Sequence, residues 1–455
     1  MDQLSPLVSC GRFRRPARHS GAFTPASNFD HAAVQLALGL GAFPATPITL
    51  DSVTLIATKW VVFLLILALA ARIGAALMIG SGLHFVDEAL YVDTASRLSS
   101  GGGFGVEYSQ VPGYPVFLAI LSLGLPVSTG SLRVAQAVLA GFGVVLVLAL
   151  ATRAFGHRAA IAAGLVYALD PLLVIASGLL YPETVAALLL PLVILTSLGG
   201  SKRDQIGRSA AAGSLLGILA LLRPVALVLA PIVAVWIAAT VSARPVRRMA
   251  HIGVLTIVFM LVLAPWAIRN SVVRGQLTPV PASSTHNAPV NPDAVGRQGL
   301  FLAVVRWGWN NPGALLERVT WQFAQFWELA PTRLATDNAA NRQRFHRKDP
   351  RLEVQPLFSR QLRDFVSAGS FSVELCLALV GLVIAARTHW REAVLLFAVI
   401  LAFATGYALF VAKVRYRIPI LPLLFLFTGV GATAVLSWAR RAVDTGFSSS
   451  AKGES

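Results

Sequence analysis

Apolar runs of about 14 to 22 residues recur along almost the whole chain, and this recurrence restricts it to folds that live in lipid. Lipid offers backbone N–H and C=O groups no partners, so a spanning segment must bond within itself as a helix or close into a barrel. The period-2 alternation of a barrel is absent, and an all-α polytopic membrane protein is expected. Charge agrees: 13% of the 455 residues are charged, against about 25% in soluble domains. The net charge of +17 would suggest nucleic acid in a soluble protein, but here Lys and Arg gather at the ends of the apolar runs. That placement speaks for topology and lipid-phosphate contact, not nucleic acid. Cys10 and Cys376 are the only cysteines, too few for a disulfide framework or a thiol metal cluster.

The basic clusters set a topology. Arg153 and Arg158, Lys202 to Arg208, Arg244 to Arg248, Arg387 and Arg391, and Arg440 and Arg441 all fall at run ends that are cytoplasmic by the positive-inside rule. The helices between them must then come in pairs. The run breaks at Asp170-Pro171, Tyr181-Pro182-Glu183 and Arg223-Pro224, each read as an outer turn. About ten spans follow, near 60–80, 132–153, 159–180, 182–198, 209–222, 224–240, 251–266, 372–386, 393–411 and 418–438. The segment 112–126 is short and rich in Pro and Gly, and is expected as an interfacial or re-entrant helix. Residues 1–58 form a basic leader, with Arg12, Arg14, Arg15 and Arg18, expected to be disordered and cytoplasmic; 439–455 form a cytoplasmic tail. Trp60 to Gly80 reads as an uncleaved signal anchor. Two outer loops, 81–131 and 268–371, are long enough to build a site on the transmembrane domain 59–438. The second carries more Lys and Arg than Asp and Glu, which suits a partner with phosphates.

The first loop holds the acidic pair Asp87-Glu88. Carboxylates beside lipid are costly and mark a functional-site candidate, with helix capping as the structural alternative. Asp87, Tyr91 and Thr94 fall at helical spacing and share one face, leaving Glu88 to point elsewhere. Arginines at outer helix ends, Arg223, Arg269, Arg415 and Arg417, have the forked geometry that fits phosphate, with snorkelling to headgroups as their alternative. Arg72, inside the first span, reads as a snorkelling or packing residue. Glu183 follows Tyr181-Pro182 and suits a sugar hydroxyl, a divalent ion or the dipole of its helix. His84 and His286 could join Glu88 or Glu183 around a metal, but their spacing is not diagnostic. Trp307, Trp309, Trp321 and Trp327 in the second loop suit sugar stacking or an interfacial aromatic belt.

The order of these motifs resembles one superfamily. Asp87-Glu88-Ala89-Leu90-Tyr91, Arg97 to Gly102, Pro112-Gly113-Tyr114-Pro115, Arg133, Phe155-Gly156-His157-Arg158, Leu169-Asp170-Pro171, Tyr181-Pro182-Glu183, Leu222-Arg223-Pro224, Ala264 to Asn270 and Arg415-Tyr416-Arg417-Ile418-Pro419 are similar, in this order, to motifs of polytopic GT-C glycosyltransferases. Those enzymes are related to protein O-mannosyltransferases and to lipid A aminoarabinose or galacturonic acid transferases. The resemblance covers roughly residues 60 to 438. It implies a GT-C-like bundle in the plasma (inner) membrane with its active site on the extracytoplasmic face. It also implies transfer of a hexosyl or pentosyl group from a polyprenyl-phosphate sugar to a glycan, lipid or protein acceptor, with inversion. By the same resemblance Asp87 is the base, supported by Glu88. Arg415, Arg417, Arg269 and Arg223 bind the donor phosphate, and Tyr91, Glu183 and Tyr114 contact substrate. No cofactor is obligatory on this reading, with a divalent metal left as an option. The segment after Asn270 matches the family only in part, through Ser283 to Asn287 and Asn291-Pro292. A transporter or flippase of a lipid-linked saccharide is the alternative. It would place its polar residues at mid-membrane in broken helices.

Overall fold

The computed structural model describes residues 50–106, 108, 110–124, 128–198, 205–240, 244–274, 300–330 and 339–450. Two units divide the chain, Met1–Thr54 and Leu55–Ser455; of the first, only the opening of one helix falls among the described residues. The leader residues 1–49, His286, and the partly matched segment 283–292 lie outside them.

The described residues form helices throughout, with one isolated parallel bridge between Leu83 and Leu352. In chain order they are α1 Leu50–Ile79, α2 Val86–Ser99, α3 Gly113–Ser122, α4 Thr129–Phe155, α5 His157–Leu169, α6 Pro171–Gly178, α7 Pro182–Ser197, α8 Gln205–Leu222 and α9 Leu229–Thr240. They continue with α10 Pro245–Arg274, α11 Leu300–Asn310, α12 Pro312–Phe326, α13 Ala339–Lys348, α14 Arg360–Thr388, α15 Trp390–Ala408 and α16 Leu421–Ser450. Tight 3-10 turns, Pro224–Val228 and Val414–Ile420, precede α9 and α16.

Six of these segments are long and apolar enough to cross a membrane: Thr58–Ile79, Thr129–Phe155, Pro245–Val273, Arg360–Thr388, Trp390–Ala408 and Val414–Ala442. The bent pair α5–α6 passes the same test when its two helices are taken together as one broken span. The other three expected spans are the shorter apolar helices Pro182–Ser197, Ile206–Leu222 and Pro224–Thr240. Helix 113–122, at ten residues, is too short to cross, as expected of an interfacial piece. Several helices outrun their apolar runs. α1 begins inside the expected leader, α10 continues to Arg274, α14 starts at Arg360 within the expected second loop, and α16 continues into the expected tail.

One break differs from its sequence reading. Asp170-Pro171 is a 51° bend within the bundle, not an outer turn. Pro171 opens α6, and Asp170 Oδ1 accepts from the Leu173 N–H at 2.7 Å while only 4% exposed. Proline cannot continue the α5 hydrogen-bond ladder, so the last carbonyls of α5 need other donors. Arg72 supplies them: Nη2 donates to Tyr167 O at 2.7 Å and Nη1 to Ala168 O at 3.2 Å. Its guanidinium lies 4.4 Å from the Tyr167 ring centre. Arg72 is fully buried and closes a broken helix, a packing role and not a snorkelling one.

Elsewhere the bundle closes by near contact of small residues. A Cβ on Gly381 of α14 would meet Gly431 N of α16 at 2.8 Å, and one on Gly429 would meet Ala163 N of α5 at 2.9 Å. Glycine at these crossings lets backbones approach where lipid gives no hydrophobic drive between helices.

A buried polar node ties the first loop to this frame. Arg133, near the start of α4, donates from Nη1 to Glu88 Oε1 at 2.9 Å and to Gly178 O at 2.6 Å, and from Nη2 to Gly82 O at 2.6 Å. Glu88 also accepts from the N–H groups of His84 at 2.8 Å and Leu180 at 2.9 Å. Both side chains are 0% exposed. Beside them Gln136 donates to Ser177 O and Leu179 O and accepts from the Tyr114 hydroxyl at 2.6 Å. The node thus joins the α1–α2 turn, α3, α4 and the α6–α7 turn.

A second tie is peripheral. Glu353 N donates to Leu83 O at 2.7 Å, Leu352 is buried beside Leu83 and Ala89, and Arg351 forks onto Asp93 of α2 at 2.7 and 2.9 Å. The stretch after α13 therefore lies along α2.

The two ties should differ sharply in worth. Arg133→Ala or Glu88→Ala leaves a buried charge unpaired and is expected to cost about 3–5 kcal/mol, read as a large drop in thermal midpoint in micelles. Arg351→Ala removes a pair whose side chains are 52% and 51% exposed. Its expected cost is under about 1 kcal/mol in the same melt.

Candidate functional site

At the end of the bundle that holds the node, four chain segments bring charged side chains together. Asp87 comes from the first turn of α2, Glu183 from the first turn of α7, Arg223 from the junction of α8 with the 3-10 turn, and Arg415 from the turn Val414–Ile420. Arg415 Nη2 donates to Asp87 Oδ2 at 2.9 Å, and Arg415 Nε lies 3.4 Å from Glu183 Oε1. Arg223 pairs with the same Glu183 oxygen. Two carboxylates and two guanidiniums thus form one chain of pairs, Asp87 to Arg415 to Glu183 to Arg223.

Aromatic rings wall this chain. The Arg415 guanidinium sits 4.4 Å from the Tyr181 ring centre and 5.3 Å from that of Tyr416, and Arg223 sits 5.2 Å from Tyr416. Tyr416 in turn stacks on Tyr407 at 4.6 Å. Such faces favour cations and exclude water, which strengthens the pairs they cover. Tyr91, on the buried face of α2, feels the charges of Arg223, Asp87, Glu183 and Arg415; burial pushes its phenol above the ordinary range, keeping it protonated and able to donate.

Exposure separates the two carboxylates. The Asp87 side chain is 42% exposed and Glu183 is 1% exposed. Only Asp87 offers an oxygen to a molecule arriving from outside. Glu183, at a helix N-terminus that favours an anion, instead holds two arginines in place.

The acidic pair therefore divides. Helix capping, the structural alternative for Asp87, falls to Glu88, which reaches back to the N–H groups of His84 and Phe85. Fully buried and saturated by Arg133 and three N–H groups, Glu88 is brought to the node and not to the open cluster. A supporting position is what remains for it. Tyr114 likewise goes to the node, 1% exposed with its hydroxyl on Gln136.

The arginines divide too. Arg223 and Arg415 join the cluster. Arg269 stays near the first loop, donating to Tyr108 O at 3.0 Å, to Gly105 O and to Asn270 Oδ1, with Trp266 4.7 Å away. Arg417 is not brought to Asp87: 1% exposed, it donates to Glu328 O at 2.6 Å and lies 3.6 Å from the Phe371 ring centre, with Asp170 and Glu374 acting on it from behind. In a 3-10 turn each residue advances about 120°, so side chains two apart still point about 120° away from one another, and Arg415 and Arg417 leave different sides.

Sequence reasoning gave Tyr181 and Tyr416 no role of their own beyond their motifs. Their signal was adjacency, since each sits within two residues of a charged group that it now walls. Among the described residues, no group of three or more His, Cys, Asp and Glu side chains could hold a metal ion. The Glu88 oxygens, proposed for such a group, are taken by Arg133 and backbone N–H groups, and the His84 ring is directed at Ile79 O.

The second-loop aromatics part company as well. Phe326 is buried against Tyr407, and Trp327 stacks on Phe371, whereas Trp309 is 86% exposed. Between α11 and α12, Val304, Gly308, Trp309, Leu315, Leu409 and Phe410 line an almost wholly apolar recess of about 550 Å³. Arg318 and Gln322 of α12 bond to Phe410 O and Ala412 N, tying that wall to the linker that leads into Arg415.

Comparison with known proteins places this architecture. Residues 110–268 match the family described as dolichyl-phosphate-mannose-protein mannosyltransferase. No curated protein matches the chain. Among solved structures, ArnT from Cupriavidus metallidurans bound to undecaprenyl phosphate aligns over 86% of this chain and 64% of its own, with 17% identity and a TM-score of 0.54. The Archaeoglobus fulgidus oligosaccharyltransferase in its apo form aligns over 86% of this chain and 52% of its own, with 16% identity and a TM-score of 0.51. The same organism's AglB, in complex with an inhibitory peptide and a dolichol-phosphate, gives 14% identity and a TM-score of 0.51. This chain thus spans less than two thirds of the length of the structures it matches. By fold the chain is similar to ArnT and to the archaeal oligosaccharyltransferase, and its residues 110–268 match the dolichyl-phosphate-mannose-protein mannosyltransferase family.

Proposed function

We propose that this chain is a multi-pass membrane glycosyltransferase that moves one sugar, hexosyl or pentosyl, from a polyprenyl-phosphate donor to an extracytoplasmic acceptor, with inversion. The observation that carries the proposal is the pairing of a half-exposed carboxylate, Asp87, with a guanidinium, Arg415, at one end of the bundle. The chemistry needs both: a base for the acceptor hydroxyl and a cation for the departing phosphate. On this reading Asp87 takes the acceptor proton as the acceptor oxygen attacks the anomeric carbon from the face opposite the phosphate. The bond from that carbon to the phosphate oxygen breaks, and its electron pair stays with the phosphate. Arg415, backed by Arg223, meets the charge, and the Tyr91 phenol supplies a further hydrogen bond.

Two further features support the reading. The lipid phosphates named with ArnT and AglB belong to those proteins, and a related donor fits the arginines and the apolar recess here. The opposite end of the bundle gathers Arg153 and Arg208 on the last carbonyls of α7. With that end cytoplasmic by the positive-inside rule, the site faces outward, where a lipid-linked sugar is the expected donor. On this reading the protein sits in the plasma (inner) membrane with its site on the extracytoplasmic face.

A transporter of lipid-linked saccharides is the second reading, favoured by one observation: the broken helix α5–α6 carries buried Asp170, close to Glu374 and Arg417. Transfer assays with a polyprenyl-phosphate sugar separate the two. Asp87→Asn is expected to cut transfer by about 10²-fold or more while the thermal midpoint holds. Near-normal transfer by the folded variant would remove Asp87 from the base role. Movement of lipid-linked sugar across vesicles with no new glycosidic bond would favour the transporter.

A further inference from the structure

Arg415 faces two carboxylates, and only one can change its charge by meeting substrate. Glu183 is buried and keeps Arg223 whatever Arg415 does. Asp87 is the exposed partner and its bond to Arg415 is a single 2.9 Å contact from Nη2. The Tyr181 ring at 4.4 Å and Glu183 at 3.4 Å hold the rest of the guanidinium, so it can release Asp87 without leaving its place.

The reaction moves one negative charge across this cluster. A polyprenyl-phosphate sugar is a phosphodiester with one charge; the polyprenyl phosphate left behind is a monoester with a second. In the same step Asp87 gains the acceptor proton and loses its charge. One unit of negative charge therefore passes from the Asp87 carboxylate to the leaving oxygen, with nothing gained or lost overall. A fixed cation between the two positions would see its total interaction change little, and such preorganised charge needs no reorganisation at the moment of reaction.

We infer that Arg415 exchanges partners during the reaction: it pairs with Asp87 before transfer and passes to the leaving phosphate as Asp87 takes the acceptor proton. The inference rests on the glycosyltransferase reading above and adds to it a coupling between base and leaving group. Before the donor engages, the same pair keeps Asp87 occupied, so a phosphate that draws Arg415 away also frees the base. Donor binding then activates the carboxylate for the acceptor.

The coupling is reciprocal and can be measured without turnover. The full chain is placed in nanodiscs and titrated with farnesyl phosphate, with farnesol as the uncharged control. Asp87→Asn is expected to bind farnesyl phosphate about three- to tenfold more tightly than the native chain, the size of a partly exposed close charge pair. Arg415→Gln should bind it more weakly. The double variant should match Arg415→Gln, because without Arg415 there is no partner to release. Asp87→Ala carries the same expectation as Asp87→Asn should the asparagine variant fold poorly. Equal or weaker binding by both Asp87 variants overturns the inference. So does the same tightening in the Arg415→Gln background, which would reflect only the general field of Asp87. Loss of transfer without tightening in Asp87→Asn leaves the base assignment standing and ends the exchange; tightening with transfer retained does the reverse.

Discussion

An unpaired charge inside a lipid-embedded bundle is costly enough to dictate where the backbone goes, and the Glu88–Arg133 pair is where this protein meets that constraint. Neither side chain touches solvent, and between them they bond to three backbone N–H groups and two carbonyls in two separate turns. Those turns are the places where helices end and leave groups unsatisfied. One ion pair thus satisfies the ends of α1 and α6, the start of α2 and the approach to α7. Asp87, one residue before Glu88, and Glu183, three after Leu180, inherit their positions from it.

The same economy governs the open cluster. Arg415 and Arg223 share Glu183, so two cations are located by one buried anion at a helix N-terminus. The arrangement leaves Asp87 as the carboxylate with accessible surface. A site built on two mutually neutralising pairs is inexpensive to bury, and it becomes cationic toward a phosphate only when Asp87 gives Arg415 up. Burial, pairing and exposure together assign the roles that residue type alone could not.

Much of this was legible in the sequence. Among the described residues, apolar runs located the six helices that are long and apolar enough to cross, because lipid demands a length and a composition that leave little room for alternatives. The Asp87-Glu88 pair, Glu183 and Arg415 could be singled out because charge next to an apolar run is rare. Which member of a pair faces the site was harder to read. Glu88 and Asp87 differ by 100° around α2, enough to send one into the node and the other to the cluster, and period alone does not say which direction is inward. Arg415 and Arg417 were expected together because two arginines and a phenol cluster just before an apolar helix; closeness in sequence does not put two side chains on one side of a turn, and here they part. Asp170-Pro171 read as a turn because proline ends helices, and only a buried arginine from α1, far off in sequence, lets the break stay inside the bundle.

Arg417 has a use that its absence from the cluster makes visible. Its guanidinium is held by the Glu328 carbonyl and the Phe371 ring, and the carboxyls of Asp170 and Glu374 lie close to it. These contacts come from the end of α12, from α14 and from the bend between α5 and α6, so Arg417 pins the turn Val414–Ile420 to three elements at once. Hydrogen-bond geometry in a 3-10 turn is poorer than in an α-helix, so such a pin helps to hold it. Arg415 leaves a different side of the same short turn, so its reach to Asp87 depends on how the turn is seated. The second arginine of Arg415-Tyr416-Arg417 therefore anchors, the first acts, and the tyrosine between them stacks against both Arg223 and Tyr407. Three consecutive residues divide the work because a 3-10 turn sends each in a different direction.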